Sequence, residues 1–447
     1  MRETKGEIQA ASVNLFGKNG SGLVEIVRKL EIYYDSPRTK FWARNDREGW
    51  IMVKDTDVKR ILGEFGFRKA AKKDENVSQI DALLTAIQRS NDVDYAGSLA
   101  GYHRGVYEIG GNRVLVRDSP RIIEPAAGDW EMLETIIDRM FGPVQLRYLY
   151  GWIKIAFEAL SSRNFRVGQA LVLAGPKDCG KSLLQELITV MLGGRCAKPH
   201  RYMSGGSDFN GELFGAEHLM MEDEQASTDI RARRNFGARI KEVTANTVQS
   251  CHPKHRPAIS LPPFWRLTIS VNDEPENLMM LPPIDESLED KLIILKAKKY
   301  PMPMPTVTDY QRELFMTALK AQIPHFLYHL RCWQIPEESV SQRYGIIHYH
   351  HPDILETLGS LAPEHKLLEL IDTALFSSLA PGSFEGTAAE LEHELTKDGS
   401  EVRRAASQLL SFQAACGTYL GRLAKAYPGR ITEVRTKTGR IWTINPP

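Results

Sequence analysis

Eight consecutive residues carry the most specific chemistry of the chain. Gly175, Pro176, Lys177, Asp178, Cys179, Gly180, Lys181 and Ser182 fit the pattern GxxxxGK[ST] in full. Such a loop wraps a polyphosphate with inward-pointing backbone N–H groups, and glycine removes side chains where the backbone approaches oxygen. The partial positive charge of a helix start adds to the hold. On this chemistry Lys181 neutralises the β- and γ-phosphates and Ser182 ligates Mg²⁺, so ATP and Mg²⁺ are the expected cofactors. The loop needs a strand before it and a helix after it. Ala170–Ala174 (ALVLA) reads as the strand, and Leu183, Leu184, Leu187, Ile188 and Met191 recur at helical spacing until Gly193 and Gly194 stop them.

Phosphate chemistry also needs a carboxylate at the end of a neighbouring strand, to hold the metal and polarise water. The segment 217–221 (EHLMM) reads as that strand and runs into Glu222, Asp223 and Glu224. Ser182, Glu222 and Asp223 are the expected metal ligands, and the sequence leaves open which acid orients water. A third strand, 265–271 (WRLTISV), ends at Asn272, which is placed to sense a γ-phosphate or the attacking water.

In this order, GPKDCGKS, LMMEDE, a basic hairpin and TISVN resemble the superfamily-3 helicases, the AAA+ ATPases of DNA viruses, phages and plasmids. Within them the chain is similar to the helicase portion of phage and plasmid primase-helicases. The resemblance is close over residues 145–300 and loose over the C-terminal module. It implies a ring, most often of six subunits, with ATP bound between protomers. It also implies that the hairpin between the second and third motifs grips DNA. Here that hairpin spans Thr247–Leu261, with Lys254, His255 and Arg256 at its tip. Such residues bind phosphate without reading base identity. The family completes its site with an arginine from the next subunit. The comparable stretch here, SLEDKLIIL, offers Lys291, a point charge without the planar fork. Arg231, Arg233, Arg234 and Lys241 are the other candidates to act in trans.

Composition fits this class. Across 447 residues, 42% are hydrophobic and 25% charged, with 57 Lys and Arg against 56 Asp and Glu. That is a soluble globular balance, about three domains long, and it excludes a mainly disordered or fibrous chain. No apolar run approaches the roughly 18 residues of a membrane span. The start MRETKGEIQA lacks a secretory core, and five cysteines without CxxC spacing indicate neither a disulfide framework nor a zinc site. A cytoplasmic location is the expectation. The last 45 residues are different, with eight Lys and Arg against Glu433 alone. Helical runs over 365–376, 387–395 and 416–426 precede two alternating strands around Lys437-Thr438-Gly439. This is a winged-helix outline, placing Arg422 and Lys425 on a recognition helix and Arg435, Lys437 and Arg440 on the wing.

His348, His350 and His351 lack acidic or thiol partners at ligand spacing and read as polar helix-start packing. The N-terminal hairpin interleaves Arg38, Lys40, Phe41, Trp42, Arg44 and Trp50, and reads as hairpin core with solvated charge rather than a base-stacking surface. Cys179 sits inside the phosphate loop, where a helix start lowers thiol pKa.

The expected fold is α/β, with an AAA+ P-loop NTPase core, a small mixed α/β N-terminal domain and a C-terminal winged-helix domain. The expected boundaries are 1–77, a connecting β-rich and helical region 78–144, the ATPase domain 145–300, a helical lid 301–360 and the winged helix 361–447. The expected function is an ATP-dependent, ring-forming DNA helicase or translocase serving replication of a phage, plasmid or other mobile element. It would act on single-stranded or forked DNA, with a separate primase as a further partner. The competing class is a nucleotide-dependent DNA-binding initiator or defence ATPase that loads on DNA without unwinding it.

Overall fold

Five apolar residues, Ala170–Ala174, form β8, and every one of them is buried. The computed structural model describes residues 21–45, 49–73, 75–222, 230–254, 256–377, 382–436 and 439–447. Beside β8 lie β13 (Arg266–Val271) and β14 (Leu292–Lys296), both parallel to it. Next to β13 come β10 (His218–Met221) and β9 (Cys196–Ala197), also parallel. With β15 (Tyr349–His350) the sheet order is β15-β14-β8-β13-β10-β9. A parallel sheet covered on both faces explains why these strands read as unbroken apolar runs rather than alternating ones. The strand β10 that leads to Glu222 is therefore not next to β8, because β13 lies between them.

Three helices build the core over this sheet. The first of them, α4, runs from Glu131 to Ser162. It kinks at Gly142 (φ 66°, ψ 171°), just before Pro143, which has no N–H to continue the ladder. Helix α5 (Lys181–Met191) follows the glycine-bearing loop after β8. The stretch 301–360 does not stand apart as a lid over its whole length. Its helix α9 (Asp309–Cys332) starts with a reciprocal cap between Thr308 and Gln311. Its Phe315, Leu319, Ile323, Phe326, Leu327 and Leu330 are buried in the same core as Leu171, Leu184 and Ile153.

The N-terminal part carries α1 (Ser21–Leu30) and a four-stranded sheet of order β3-β2-β1-β4. Its strands are β1 (Ile32–Asp35), β2 (Lys40–Asn45), β3 (Gly49–Val53) and β4 (Asp92–Val93). Helix α2 (Asp55–Glu64) is capped at Lys54, whose N–H donates to the Asp57 carboxylate at 3.3 Å. Helix α3 (Gln79–Ser90) starts at Ser78, whose Oγ accepts from Asp81 N at 3.1 Å. Strands β5 (Tyr95–Gly97), β6 (Gly105–Ile109) and β7 (Asn112–Val116) form a second small sheet. Its turn at Gly110 and Gly111 has φ of 58° and 82°, the primed geometry that favours glycine.

The chain divides into two compact units, and residues 273–284 and 350–447 belong to the second. That unit includes α11 (Pro363–Leu375), β16 (Phe384–Gly386), α12 (Ala388–Thr396), α13 (Arg403–Leu409), α14 (Ala415–Ala426), β17 (Ile431–Thr436) and β18 (Gly439–Ile444). Thr387 and Glu390 make a reciprocal cap at the start of α12. The strand β16 and the helix α13 are additions to the helix–helix–helix–hairpin outline. The strand order is β16-β18-β17, and Trp442 on β18 is buried among Leu391, Tyr419 and Leu423.

Candidate functional site

Strand β8 ends at Ala174 and the chain turns through the loop Gly175–Gly180. Gly175 N donates to Val271 O at 3.2 Å, and a Cβ added to Gly175 would meet Ala297 O at 2.6 Å. Glycine is demanded here by backbone proximity. The loop then passes Asp178 (φ 59°) and Gly180 (φ 98°), both left-handed, and enters α5 at Lys181. Successive left-handed turns aim N–H groups inward, the concavity that anions occupy.

Lys181 is 7% exposed, and its ammonium donates to Gly175 O (2.7 Å), Pro176 O (2.9 Å) and Asn272 Oδ1 (3.0 Å). Cys179 is buried beside it, its Sγ 3.9 Å from Lys181 Nζ. Register places the three motifs together. Val271 pairs with Ala174 and Ile269 with Met221, so Gly175, Asn272 and Glu222 all follow the carboxyl ends of parallel strands. That edge is where open α/β sheets take their ligands. A cavity of about 690 Å³ opens there, lined on one side by Lys177–Leu183 and Asn272 and on the other by Met302, Thr306, Arg312, Glu313 and Met316. Glu222 is half-buried and ion-paired with Lys198. Asp223 and Glu224 lie outside the described residues.

A buried polar circuit, not read from the sequence, links these elements. Gln185 on α5 donates from Nε2 to Met221 O (3.0 Å) and to Thr268 Oγ1 (2.8 Å). His218 contacts Thr268 Oγ1 through Nε2 (2.7 Å) and Thr189 Oγ1 through Nδ1 (2.6 Å). Thr189 Oγ1 donates to Gln185 O at 3.1 Å. Protonation of His218 at Nδ1 gives each hydroxyl one donor role, while Gln185 Oε1 is buried without a hydrogen-bond partner. Burial pushes the imidazole down to about 3, so it is neutral near pH 7. Gln185 thus ties α5 to the residue before Glu222 and to the strand that precedes Asn272.

The Thr247–Leu261 segment forms β11 (Gln249–Cys251) and β12 (Ile259–Leu261), an antiparallel pair. Lys254 is exposed and His255 lies outside the described residues. Arg256 is half-buried, and its charge acts on Asp35, Arg38 and Tyr95. Of the trans-acting candidates, Arg233 (4% exposed) and Lys291 (9% exposed) are buried, and Lys291 Nζ bonds Asp290 Oδ1 at 2.6 Å. Lys241 Nζ bonds Ser287 Oγ and lies 3.8 Å from Asp285, while Arg234 is exposed on α7 (Ile230–Ala245). The Arg231 side chain lies outside the described residues.

In the second unit Lys425 and Arg435 are exposed. Arg422 pairs with Glu364 at 3.2 Å and Arg440 with Glu433 at 2.9 Å, so these two present less free charge. Lys437 lies outside the described residues. His351 caps α10 (Pro352–Ser360) by accepting from Asp353 N at 3.3 Å, and His348 Nε2 lies 3.6 Å from Glu289. Among the described residues no group of three His, Cys, Asp or Glu side chains could hold a metal, and no helix is long and apolar enough to cross a membrane.

Residues 173–287 match a family of unknown function, DUF5906. No curated protein matches the sequence. Among solved structures, the A form of the apo NrS-1 C-terminal region is 11% identical and covers 96% of this chain and 100% of its own, at a TM-score of 0.55. The apo NrS-1 C-terminal region (305-718) is 13% identical, with 95% and 98% covered and a TM-score of 0.52. A third structure, described as SCCmec type IV Cch, an active helicase, is 10% identical over 89% of this chain and 73% of its own, at a TM-score of 0.31. The likeness to the NrS-1 C-terminal region is one of fold.

Proposed function

We propose that the chain is an ATP-dependent, ring-forming DNA helicase or translocase of superfamily-3 type, serving replication of a mobile element. The observation that carries this reading is the meeting of Gly175–Ser182, Glu222 and Asn272 at one sheet edge, with Lys181 Nζ bonded to Asn272 Oδ1. ATP phosphates would enter the loop, and Lys181 would exchange a carbonyl or amide partner for phosphate oxygen. Asn272, released from the ammonium, would then orient water or the γ-phosphate. Arg234, exposed on α7, is better presented to a neighbouring subunit than Arg233 or Lys291.

The oxygen donors fit Mg²⁺, since that ion takes one or two protein oxygens and completes its shell with phosphate and water. Ser182 lines the cavity and Glu222 follows β10, so these two would hold it, with Asp223 as the further candidate. When bound, the ion neutralises charge on the β- and γ-phosphates. In the same reading the 361–447 module is a winged helix that meets DNA through Lys425, Arg435 and their neighbours, and the Lys254–Arg256 tips draw one strand through a hexameric ring.

The test compares wild type with Lys181→Ala on a forked duplex. The wild type should hydrolyse ATP, displace the strand and lose both with the substitution. ATP hydrolysis and DNA binding without displacement would favour the loading ATPase. Unchanged hydrolysis in Lys181→Ala would overturn the nucleotide site itself.

A further inference from the structure

We infer that Arg38, Arg104 and Arg117 join Lys254 and Arg256 in one surface for the phosphate backbone of a single nucleic-acid strand, shared between the β11–β12 hairpin and the N-terminal sheets. This rests on the reading of the hairpin tip as a DNA contact and extends it to residues outside the ATPase motifs.

Geometry gathers these side chains. Arg38 Nη1 donates to Ala96 O at 2.8 Å, Arg117 N donates to Gly97 O at 2.9 Å, and Arg117 Nη2 reaches Ser98 Oγ at 3.4 Å. The two arginines thus hold three consecutive residues. A Cβ on Gly49 would lie 2.9 Å from Arg104 Nη1 and 3.4 Å from Arg117 O, so Arg104 crosses the end of the β2–β3 hairpin beside Arg117. The following loop carries the link to β11, because Ala100 N donates to Phe214 O at 2.7 Å. Just before Phe214, Asn210 Oδ1 accepts from His252 N at 2.7 Å, and Asn210 Nδ2 donates to Ser250 O at 2.9 Å. The hairpin shoulder and the arginine cluster therefore share one support.

The charges are unbalanced. Asp35 is 1% exposed and engaged by Trp42 Nε1 and Arg38, while Asp118 is divided between Arg117 and Arg195. Burial pulls the Arg38 pKa down, and the charges of Arg256 and Arg117 add to that pull against Asp35. Guanidinium groups crowded this way repel one another, and a polyanion relieves the repulsion. Lys254, Arg104 and Arg117 are exposed and can meet a ligand. The neighbouring Trp42 and Trp50 are buried, at 4% and 6% exposure, so those rings are not stacking platforms and the contact is to backbone.

The experiment measures binding of fluorescein-labelled oligothymidylate to the full chain by anisotropy, from about 50 to about 300 mM salt. The double variant Arg104→Ala/Arg117→Ala should bind at least about five-fold more weakly. Its log–log salt slope should be shallower by about 1.4, because each lost single-strand phosphate contact removes about 0.7. Its DNA-independent ATP hydrolysis should match wild type, and Arg104→Lys/Arg117→Lys should restore most of the binding. Weaker binding with an unchanged slope, or no restoration by lysine, would overturn the proposal. Wild-type affinity in the alanine pair beside lost affinity in Lys254→Ala/Arg256→Ala would overturn it while leaving the hairpin reading intact. Absence of oligothymidylate binding by wild type at low salt would overturn both.

Discussion

Lys181 Nζ and Asn272 Oδ1 lie 3.0 Å apart, joining the first residue of α5 to the residue that follows β13. An ammonium has three protons, and Gly175 O, Pro176 O and Asn272 Oδ1 accept all three. A phosphate can therefore engage Lys181 only by replacing one of these acceptors, and Asn272 is the one on a separate strand. Asn272→Ala should leave nucleotide affinity within a few fold and slow hydrolysis by about 10²–10³, the usual cost of one lost transition-state contact. Equilibrium binding of a fluorescent ATP analogue and single-turnover hydrolysis check this. Hydrolysis at the wild-type rate would remove Asn272 from the mechanism.

A backbone argument gives the next expectation. The Cβ in Gly175→Ala would fall 2.6 Å from Ala297 O, a carbonyl that cannot rotate away as a side chain could. The substitution should destabilise the first unit by about 1–3 kcal/mol, the range for overpacking. Gly359→Ala is the control, since a Cβ there meets nothing within 4 Å inside α10. That change should be neutral or stabilising by up to about 1 kcal/mol. Urea titration of both variants tests the contrast, and equal effects would discredit it.

The strand, loop and helix over 170–191 were legible because the GxxxxGK[ST] pattern is contiguous, with glycine at fixed offsets, and is bounded by a buried apolar run and an amphipathic one. The strand ends at Glu222 and Asn272 were legible for a similar reason, as apolar runs stopping at polar residues. The Gln185–Thr268–His218–Thr189 circuit was not, because its members lie on three elements and share no period. The prolines of 301–305 resemble a boundary in sequence, yet α9 directly after them fills the core over β8. Nor does local pattern reveal that the Arg256 charge reaches Asp35 and Arg38, more than 200 positions earlier.

Gln185 is expected to act on the site through Met221. Its Nε2 holds Met221 O and Thr268 Oγ1, so Gln185→Leu leaves a buried carbonyl without that donor. The cost should be about 1–3 kcal/mol of stability. A loss of alignment between Glu222 and the phosphate loop should appear in kcat, with KM for ATP nearly unchanged. Gln185→Glu, of the same shape, tests the donor itself and should not rescue turnover. A variant that loses stability but keeps wild-type kcat would confine Gln185 to packing.

The same circuit predicts an acid dependence with a definite sign. Burial lowers the His218 pKa from its ordinary 6.5 to about 3, so the folded chain stays neutral there while the unfolded chain takes up a proton. Above pH 6.5 neither state is protonated and the group has no effect. As pH falls through the window between 6.5 and about 3, the unfolded state gains the proton and stability is lost. The limiting slope is about 1.4 kcal/mol per pH unit, so between pH 7.5 and 5.5 His218 should account for a loss of roughly 1 kcal/mol. His218→Gln removes the titrating group, and its stability should fall less over that interval by about the same amount. Urea midpoints of the two proteins at both pH values decide the matter, and parallel losses would place the acid sensitivity elsewhere.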